Sequence, residues 1–268
     1  MTLESRETDG SLGRPITVQF PDEFVFPDDV LRLDGVPITA TIGKTVYALH
    51  KPDGVVTTMA DLNGRPTIMT WLNELPPGLF PVGRLDAATT GLLLLADDGD
   101  LAHLLLDPRY HAEKEYHLWV VGGHITHDDP RLETLRRGLE LDDGPASART
   151  AEPMESDGLN THLRVVITEG RNRLVRRMAR GAGFVLLSLH RHRIGDLVLG
   201  PMAAGEVRRL TAAEYDGLWA PWGGRDAVRR AQLQALRRRA ERMTEQGRPY
   251  GRLNAWLETL DAMGDQAS

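Results

Sequence analysis

The sequence predicts an α+β fold: a mixed, largely antiparallel sheet in two lobes with a central cleft, followed by a C-terminal helical extension. Segments with strand and helix patterns follow one another without the strict βαβ rhythm of a parallel sheet. Of the 268 residues, 41% are hydrophobic and 26% are charged, which is typical of a globular protein. Composition changes sharply after Pro221. We therefore predict an arm over residues 1–40, a central domain over 41–220 and a helical extension over 221–268.

The composition excludes several classes of protein. The chain contains no cysteine, so it forms neither a disulfide nor a cysteine-ligated metal site. Its longest apolar run, Leu92–Ala96, is far shorter than the ~20 residues of a membrane-spanning helix. Residues 1–15 lack the apolar stretch of a signal peptide. We expect a soluble, cytoplasmic protein that is monomeric and does not associate with membranes.

The first elements are short. Residues 1–40 lack periodicity and are rich in Pro, Asp and Gly, which predicts a loose arm ending in a hairpin-like piece, VLRLDGVPI. Thr45–Leu49 is β-branched and apolar and runs into Lys51-Pro-Asp-Gly, a pattern that predicts a strand stopped by a turn. Pro66–Leu72 can form a short helix.

Asp86 lies in the segment GRLDAATTG, directly before the apolar run Leu92–Leu95. This order predicts a loop that feeds a buried strand, and such loops often carry catalytic residues. The spacing of apolar residues then predicts a helix over Gly99–Leu106 and a strand over Lys114–Val121. A further helix is expected at about Asp128–Arg137.

The second half of the central domain has the same mixed character. Thr161–Thr168 alternates as a strand, and Gly170 interrupts it. Asn172 is a candidate N-cap for a helix that runs to about Arg180. Leu186–Leu199 predicts one or two strands around Gly195.

The C-terminal extension is predicted to contain two helices. Arg225–Met243 places four apolar residues on one face, and Gly251–Met263 follows behind the break GRPYG. The arginines of the first helix either bind a polyanion or form a solvated face, and the sequence does not distinguish these alternatives.

The net charge of −6 argues at first against a nucleic-acid partner. The charge is unevenly distributed, however. Between Arg171 and Arg193 the chain has seven arginines, two histidines (His190 and His192) and no acidic residue. Such a focused basic surface can attract a polyanion even in an acidic protein, and the N-terminus of the predicted helix adds to this effect.

The segment GRLDAATTGLLLL resembles the catalytic motif of pseudouridine synthases. Four further blocks, in the order of the RsuA-type family that modifies ribosomal RNA, extend the resemblance over about Tyr47–Leu210: YALHKPDG, EKEYHL, EGRNRLVRRM and LHRHRIGDLVLG. The resemblance implies that residues 41–220 form a pseudouridine synthase catalytic domain. It also implies ribosomal RNA as the partner and a reaction that needs no cofactor and no metal.

The reaction explains why such residues are needed. Isomerisation of uridine breaks the N-glycosidic bond, rotates the uracil and rejoins it through carbon, which calls for a carboxylate as nucleophile or acid–base catalyst. By resemblance this residue is Asp86. Arg176 is expected to hold the carboxylate through two hydrogen bonds and keep it ionised. Tyr116 is expected to receive the base, which must flip out of its stack.

Other basic residues are expected to bind the RNA. By resemblance, Arg84 would hold the flipped nucleotide or its phosphate. Contacts of this kind position RNA without reading its sequence. The complete set of expected RNA-binding residues is Arg84, Lys51, Arg171, Arg173, Arg177 and Arg191.

The chain departs from the family pattern at three places. His50 stands where the family usually has Asn, and Leu174 stands where Gln is customary. Many relatives also begin with a small RNA-binding domain, of which only VLRLDGVPI is recognisable here. Substrate selection is therefore expected to rest on the cleft, the arm or the C-terminal helices, and a large-subunit site is slightly favoured because some large-subunit relatives share the omission.

Two rival functions remain at this stage. One is a catalytically silent RNA-binding or ribosome-assembly protein with the same fold. The other is a glycoside-cleaving hydrolase that pairs Asp86 with Glu169, although a salt-bridged strand end is the simpler interpretation of Glu169.

HITHDD at residues 124–129 superficially resembles a metal site, but the pattern is more typical of a polar turn and helix cap, and we predict no metal.

Overall fold

The computed structural model describes residues 2–4, 16–17, 30–33, 36–37, 44–60 and 64–245. Lys44–Val228 forms one compact unit, which nearly coincides with the predicted central domain of 41–220. Met1–Gly43 and Arg229–Ser268 are grouped as a second unit. The predicted boundaries at 40 and 220 remain predictions. In the described part of the chain, no helix has the length and apolar character needed to cross a membrane.

The chain forms strands and helices in irregular succession. The strands are β1 (Thr2–Glu4), β2 (Ile16–Thr17), β3 (Val30–Leu33), β4 (Val36–Pro37), β5 (Val46–Lys51), β6 (Phe80–Val82), β7 (Thr89–Ala96), β8 (Lys114–Val121), β9 (Leu139–Leu141), β10 (Gly144–Ala146), β11 (Thr150–Ser156), β12 (Asn160–Ile167), β13 (Val185–Ile194), β14 (Leu197–Val198) and β15 (Val207–Arg209). The α-helices are α1 (Met69–Leu72), α2 (Gly99–Leu106), α3 (Pro130–Arg137), α4 (Leu174–Gly181), α5 (Ala212–Gly217) and α6 (Arg225–Glu245).

One large sheet organises the unit Lys44–Val228. Its strand order is β11-β12-β8-β13-β7-β5-β15, with β14 beside β13 and β6 beside β7. All named pairs are antiparallel except β7 and β13, which run parallel and pair over three residues, Thr89–Gly91 against Leu189–Arg191. This short parallel seam joins the two groups of antiparallel strands. The predicted α+β class with a mixed, largely antiparallel sheet is confirmed.

The leucine run of β7 is explained by burial on both faces of the sheet. Side chains alternate between the faces of a strand. Leu93 and Leu95 pack in one hydrophobic cluster with α3 and α4, and Leu92 and Leu94 pack in another with α2. A strand covered on both sides has a continuous apolar sequence, and all four leucines are fully buried.

Most helix and strand predictions in the central unit agree with the structure. The helix at Gly99–Leu106 and the strand at Lys114–Val121 have the predicted bounds. The short helix expected at Pro66–Leu72 is one turn, Met69–Leu72. In the HITHDD segment Asp129 caps α3, with Pro130 at the first helical position, so the polar turn and cap are confirmed.

One prediction inside the unit Lys44–Val228 was wrong, and one for the N-terminal residues was incomplete. Asn172 is not the cap of α4, which begins at Leu174 after Arg173 in a left-handed conformation, with no side-chain capping bond. The expected hairpin VLRLDGVPI is present as the β3–β4 pair. The strands β1 and β2, which were not predicted from the sequence, join that hairpin in a four-stranded antiparallel sheet. These two strands are too short for their patterns to be recognised. The arm over residues 1–40 remains a prediction. The predicted helix Gly251–Met263 lies outside the described residues.

Candidate active site

A cavity of about 530 Å³ opens beside the β7–β13 seam. Asp86 lies on its wall, on the loop between β6 and β7, as the sequence predicts. Asp86 is the one acidic residue among the cavity-lining residues described, and seven basic residues accompany it. They are Arg65, Arg84, Lys114, Arg171, Arg173, Arg176 and Arg191. The cavity is therefore strongly positive around a single carboxylate.

Backbone contacts fix the loop that carries Asp86. The Thr89 amide donates to the Asp86 carbonyl over 2.9 Å, which closes a turn directly before β7. The Gly54 amide donates to the Ala87 carbonyl over 3.0 Å. The buried Thr57 hydroxyl donates to the Leu85 carbonyl and accepts from the Leu85 amide. The carboxylate is thus presented by a backbone that is tied on both sides.

The Lys51 side chain hydrogen-bonds to the same loop and to the turn that follows β5. Its side chain is fully buried, and its ammonium group donates to the carbonyls of Pro52 at 2.8 Å, Val55 at 2.7 Å and Ala87 at 3.1 Å. Burial lowers the pKa of Lys51 to about 8, although Asp53 and Asp86 act in the opposite direction. An ammonium has three donors, and all three are used internally. The expectation that Lys51 contacts RNA therefore gives way to a positioning role.

The last glycine of the motif is required by the close approach of two strands. Gly91 has φ +106°, and a Cβ placed there would lie 2.2 Å from the Arg191 carbonyl oxygen and 2.7 Å from the Arg191 nitrogen. Backbone atoms cannot move aside as the end of a flexible side chain can. Gly91 thus permits the parallel pairing with β13 that brings Arg191 to the cavity.

Two guanidinium groups flank the Asp86 carboxylate. Arg176 Nε lies 3.5 Å and Arg173 Nη1 lies 3.7 Å from the same oxygen, Asp86 Oδ2. The Asp86 side chain is about one quarter exposed, so it is accessible from the cavity. These are ionic contacts at distances longer than hydrogen bonds. The expected pair of hydrogen bonds from Arg176 to Asp86 is not formed.

Arg176 instead divides its donors between the carboxylate and the backbone. Its Nη2 donates to the Ala88 carbonyl at 2.6 Å and to the Thr89 hydroxyl at 3.1 Å, whereas its buried Nε forms no hydrogen bond. Burial lowers the pKa of Arg176, the Asp86 charge raises it and Arg173 lowers it further. The guanidinium remains charged, because arginine keeps its proton at any ordinary pH.

Tyr116 and Leu189 are two of the apolar residues that line the cavity. Tyr116 is on β8 and is 8% exposed, and Leu189 lies on the adjacent β13. Both line the cavity with Asp86. Arg84, two residues before Asp86, is exposed at the same cavity. The structure therefore brings together Asp86, Tyr116, Arg176 and Arg84 from three separate motifs.

Two arginines expected to bind RNA are engaged elsewhere. Arg171 lines the cavity, but its guanidinium binds Glu169 at 2.6 Å and 3.0 Å, the Asp143 side chain and nearby carbonyls. Arg177 does not line the cavity and forms two hydrogen bonds with Asp143, at 2.7 Å and 2.8 Å. This pairing lowers the pKa of Asp143 and raises that of Arg177. Both arginines thus tie α4 and the segment before it to the β9–β10 turn. The exposed cations of the cavity are Arg65, Arg84 and Arg173.

Lys114 is a cavity residue that the sequence predictions omit. It is 6% exposed, lies on β8 two residues before Tyr116 and lines the same cavity. Residues two apart on a strand share a face, so the block EKEYHL contained the information needed to identify it. Arg191, which the predictions include, is 3% exposed on the adjacent strand.

One group of side chains outside the cavity has metal-ligand chemistry: Glu115, His117 and His192. The two imidazole rings stack 4.3 Å apart at 15°, so no ion could lie in both ring planes. His117 and Arg193 already contact the two oxygens of Glu115, at 3.0 Å and 3.1 Å. The group fits an ion-paired aromatic stack better than a metal centre.

Comparisons with known proteins indicate the family of the chain. Residues 45–180 match the family described as RNA pseudouridylate synthase. The chain is 42% identical over 193 residues to an uncharacterized RNA pseudouridine synthase of Mycobacterium bovis, a match that covers 71% of this chain and 75% of the relative. It is also 42% identical to the ribosomal large subunit pseudouridine synthase B of Yersinia pestis, over 63% of this chain and 54% of that protein. A crystal structure of a pseudouridylate synthase aligns with a TM-score of 0.58 and 30% identity, over 75% of this chain and 85% of that one.

Proposed function

The chain belongs to the RNA pseudouridine synthase family and is an RNA-modifying isomerase, and from this premise we propose that it converts a uridine of large-subunit ribosomal RNA to pseudouridine with Asp86 as the nucleophile. The proposed substrate class follows from the resemblance to large-subunit enzymes such as that of Yersinia pestis. The reaction is an isomerisation, so it consumes no second substrate and needs no oxidant or reductant.

The observation that carries the proposal is the environment of the Asp86 carboxylate. It contacts Arg173 and Arg176, and it shares the cavity with Tyr116. An accessible carboxylate can act as a nucleophile, and the two guanidinium groups lie close enough to hold it in place. Tyr116 offers a ring on which a base can stack, a contact worth about 1–3 kcal/mol per base.

In the proposed mechanism the target uridine flips out of its helix into the cavity. The Asp86 carboxylate attacks C1′ of the ribose, a C1′–O bond forms, and the C1′–N1 bond breaks with its electron pair remaining on the uracil. The uracil rotates, and its C5 attacks C1′ and displaces the carboxylate. The displaced carboxylate restores Asp86. Loss of the C5 proton to water and uptake of a proton by N1 then give pseudouridine, so atoms and charge balance.

The accessible arginines fit the task of holding the flipped nucleotide. Arg84 and Arg173 are exposed at the cavity, with 55% of the Arg173 side chain accessible. Guanidinium groups bind phosphate oxygens well. We assign backbone binding to these two residues, and a positioning role to Arg171 and Arg177.

The two rival functions are less well supported. A hydrolase would need a second carboxylate at the cavity, but Glu169 is not among the lining residues and is held by Arg171. A silent RNA-binding protein would have no need for an accessible carboxylate, because a negative charge repels RNA phosphates.

Single-turnover assays of Asp86→Asn test the proposal. Unmodified large-subunit ribosomal RNA is transcribed with uridine tritiated at C5, so pseudouridine formation releases tritium to water and hydrolysis releases labelled uracil. Loss of the nucleophile should slow tritium release by at least ~10³-fold, while RNA binding persists because the variant preserves shape.

Asp196→Asn is the matched control, since Asp196 is exposed in the turn between β13 and β14. It should retain the wild-type rate. Undiminished tritium release by Asp86→Asn would overturn the assignment, and labelled uracil from the wild type would favour the hydrolase. Pseudouridine mapping in cells with and without the gene identifies the uridine.

A further inference from the structure

Two buried cations at the cavity have no role in the mechanism above. Lys114 is 6% exposed and Arg191 is 3% exposed, and both line the cavity. Lys114 shares a face of β8 with Tyr116, and Arg191 lies directly opposite Tyr116 on β13. The tyrosine ring that is proposed to receive the base is therefore flanked by these two charges.

Neither cation is paired with a carboxylate among the described residues. The Lys114 ammonium donates to the Ala112 carbonyl at 3.1 Å. Arg191 Nε donates to the Leu92 carbonyl at 2.7 Å, and its Nη2 is buried without a hydrogen-bond partner. Burial lowers the pKa of Lys114 to about 8, and the charge of Arg191 lowers it further. The acidic residue of the cavity, Asp86, is instead in contact with Arg173 and Arg176.

The burial of two unpaired cations is unfavourable for the protein without bound substrate. Buried charges are ordinarily paired with opposite charges, because removing them from water is costly. Two neighbouring positive charges and an unpaired N–H donor are typical of a functional site, where a bound ligand supplies the missing negative charge and hydrogen-bond acceptor. Arg191 cannot relieve the repulsion by losing its proton, so the pair is preorganised to receive negative charge.

Resting on the proposed function, we propose that Lys114 and Arg191 form a subsite for the carbonyl oxygens of the detached uracil, which carries the electron pair of the broken C1′–N1 bond. In that anion the charge is delocalised from N1 onto the carbonyl oxygens O2 and O4. Donors fixed in advance around a developing charge accelerate a reaction, because they need no reorganisation. The pair is proposed to bind the base, whereas the guanidinium groups of Arg173 and Arg176 contact Asp86.

The first test uses the wild-type protein and two pyrimidine probes. Barbiturate is a pyrimidine anion whose charge is shared by its carbonyl oxygens, and uracil is its neutral counterpart. Barbiturate should inhibit tritium release at a concentration at least ~10-fold lower than uracil. Equal inhibition by the two probes, or equal inhibition by inorganic phosphate and barbiturate, would contradict the subsite.

The second test removes the charge with Lys114→Met. The single-turnover rate should fall ~10²-fold or more, as for removal of one donor from an oxyanion site, with RNA affinity within about two-fold and the barbiturate preference lost. Lys114→Arg keeps the charge and should recover most of the rate. Lys44→Met is the matched control, because Lys44 is exposed and outside the cavity.

Two results with Lys114→Met would overturn the proposal. A weaker, less salt-dependent RNA affinity in Lys114→Met with an unchanged rate would assign the lysine to a phosphate. An unchanged rate and affinity would leave it a packing role. If Lys114→Met does not fold, the wild-type probe comparison decides. An inactive wild type indicates failure of the proposed function itself, whereas an active wild type with an inactive Asp86→Asn and a fully active Lys114→Met indicates failure of the subsite alone.

Discussion

Gly91→Ala is expected to be severely destabilising, although it adds a single methyl group. The new Cβ would lie 2.2 Å from the Arg191 carbonyl oxygen, where ordinary contact begins at 3.4 Å, so one strand must move by roughly 1 Å. A left-handed conformation costs an alanine about 1–2 kcal/mol, and overpacking typically costs a further 1–3 kcal/mol. We expect a loss of at least ~3 kcal/mol, a large part of a typical stability of about 5–15 kcal/mol.

Urea denaturation followed by circular dichroism measures this loss. With a slope of about 3 kcal/mol per molar, the midpoint should fall by about 1 M. Gly99→Ala is the control, because Gly99 has ordinary φ, begins α2 and has no atom within 4 Å of its Cβ position. It should be neutral or stabilising by up to ~1 kcal/mol. A Gly91→Ala midpoint equal to that of the wild type would refute the close-approach argument.

Three further substitutions separate positioning from binding and stability. Lys51→Met leaves three carbonyls without their donor, so it should reduce the free energy of unfolding by ~1–3 kcal/mol in urea titrations. It should also slow tritium release while RNA affinity stays unchanged. Reduced RNA affinity with intact stability would restore the interpretation that Lys51 contacts RNA. Arg176→Lys keeps the charge but cannot contact Asp86, Ala88 and Thr89 together, so the single-turnover rate should fall ~10–100-fold, and a full rate would contradict the shared role. Glu214 binds Arg208 at 2.6 Å and 2.9 Å, which lowers its pKa from 4.5 to about 2. Glu214→Gln should therefore cost ~1–2 kcal/mol at neutral pH. That difference should persist down to about pH 4.5 and vanish towards pH 2 as the wild-type carboxylate protonates, and a pH-independent difference in acid titrations would exclude the linkage.

The parts of the fold that were predictable from sequence are those with local causes. Four consecutive leucines indicate a strand buried on both faces, and Leu92–Leu95 form one. Asp98 before Gly99 is a typical helix start, and its side chain accepts from the Leu101 amide. In contrast, Arg173 starts α4 from a left-handed conformation that no local signal announces.

The residue types of the cavity were predictable, but their partners were not. Lys51, Arg171 and Arg177 are cations in the motifs, and nothing local distinguishes a cation that faces RNA from one that holds a loop. Asp143, which binds both arginines, lies 28 and 34 residues away from them in sequence. Contacts of this kind depend on the tertiary fold. The tertiary fold also determines that Arg191 is buried whereas Arg84 is exposed.

The parallel seam explains why residues 90 positions apart in sequence share one site. Because β7 and β13 run in the same direction, the loop before β7 and the helix before β13 lie at the same end of the sheet. That loop carries Asp86 and that helix carries Arg176, and the Arg176 contact with the Ala88 carbonyl joins them. The seam has only three residue pairs, and Gly91 is one of its members. A substitution that forces the strands apart there should lower activity even in molecules that stay folded, since it separates the carboxylate from the cation that faces it.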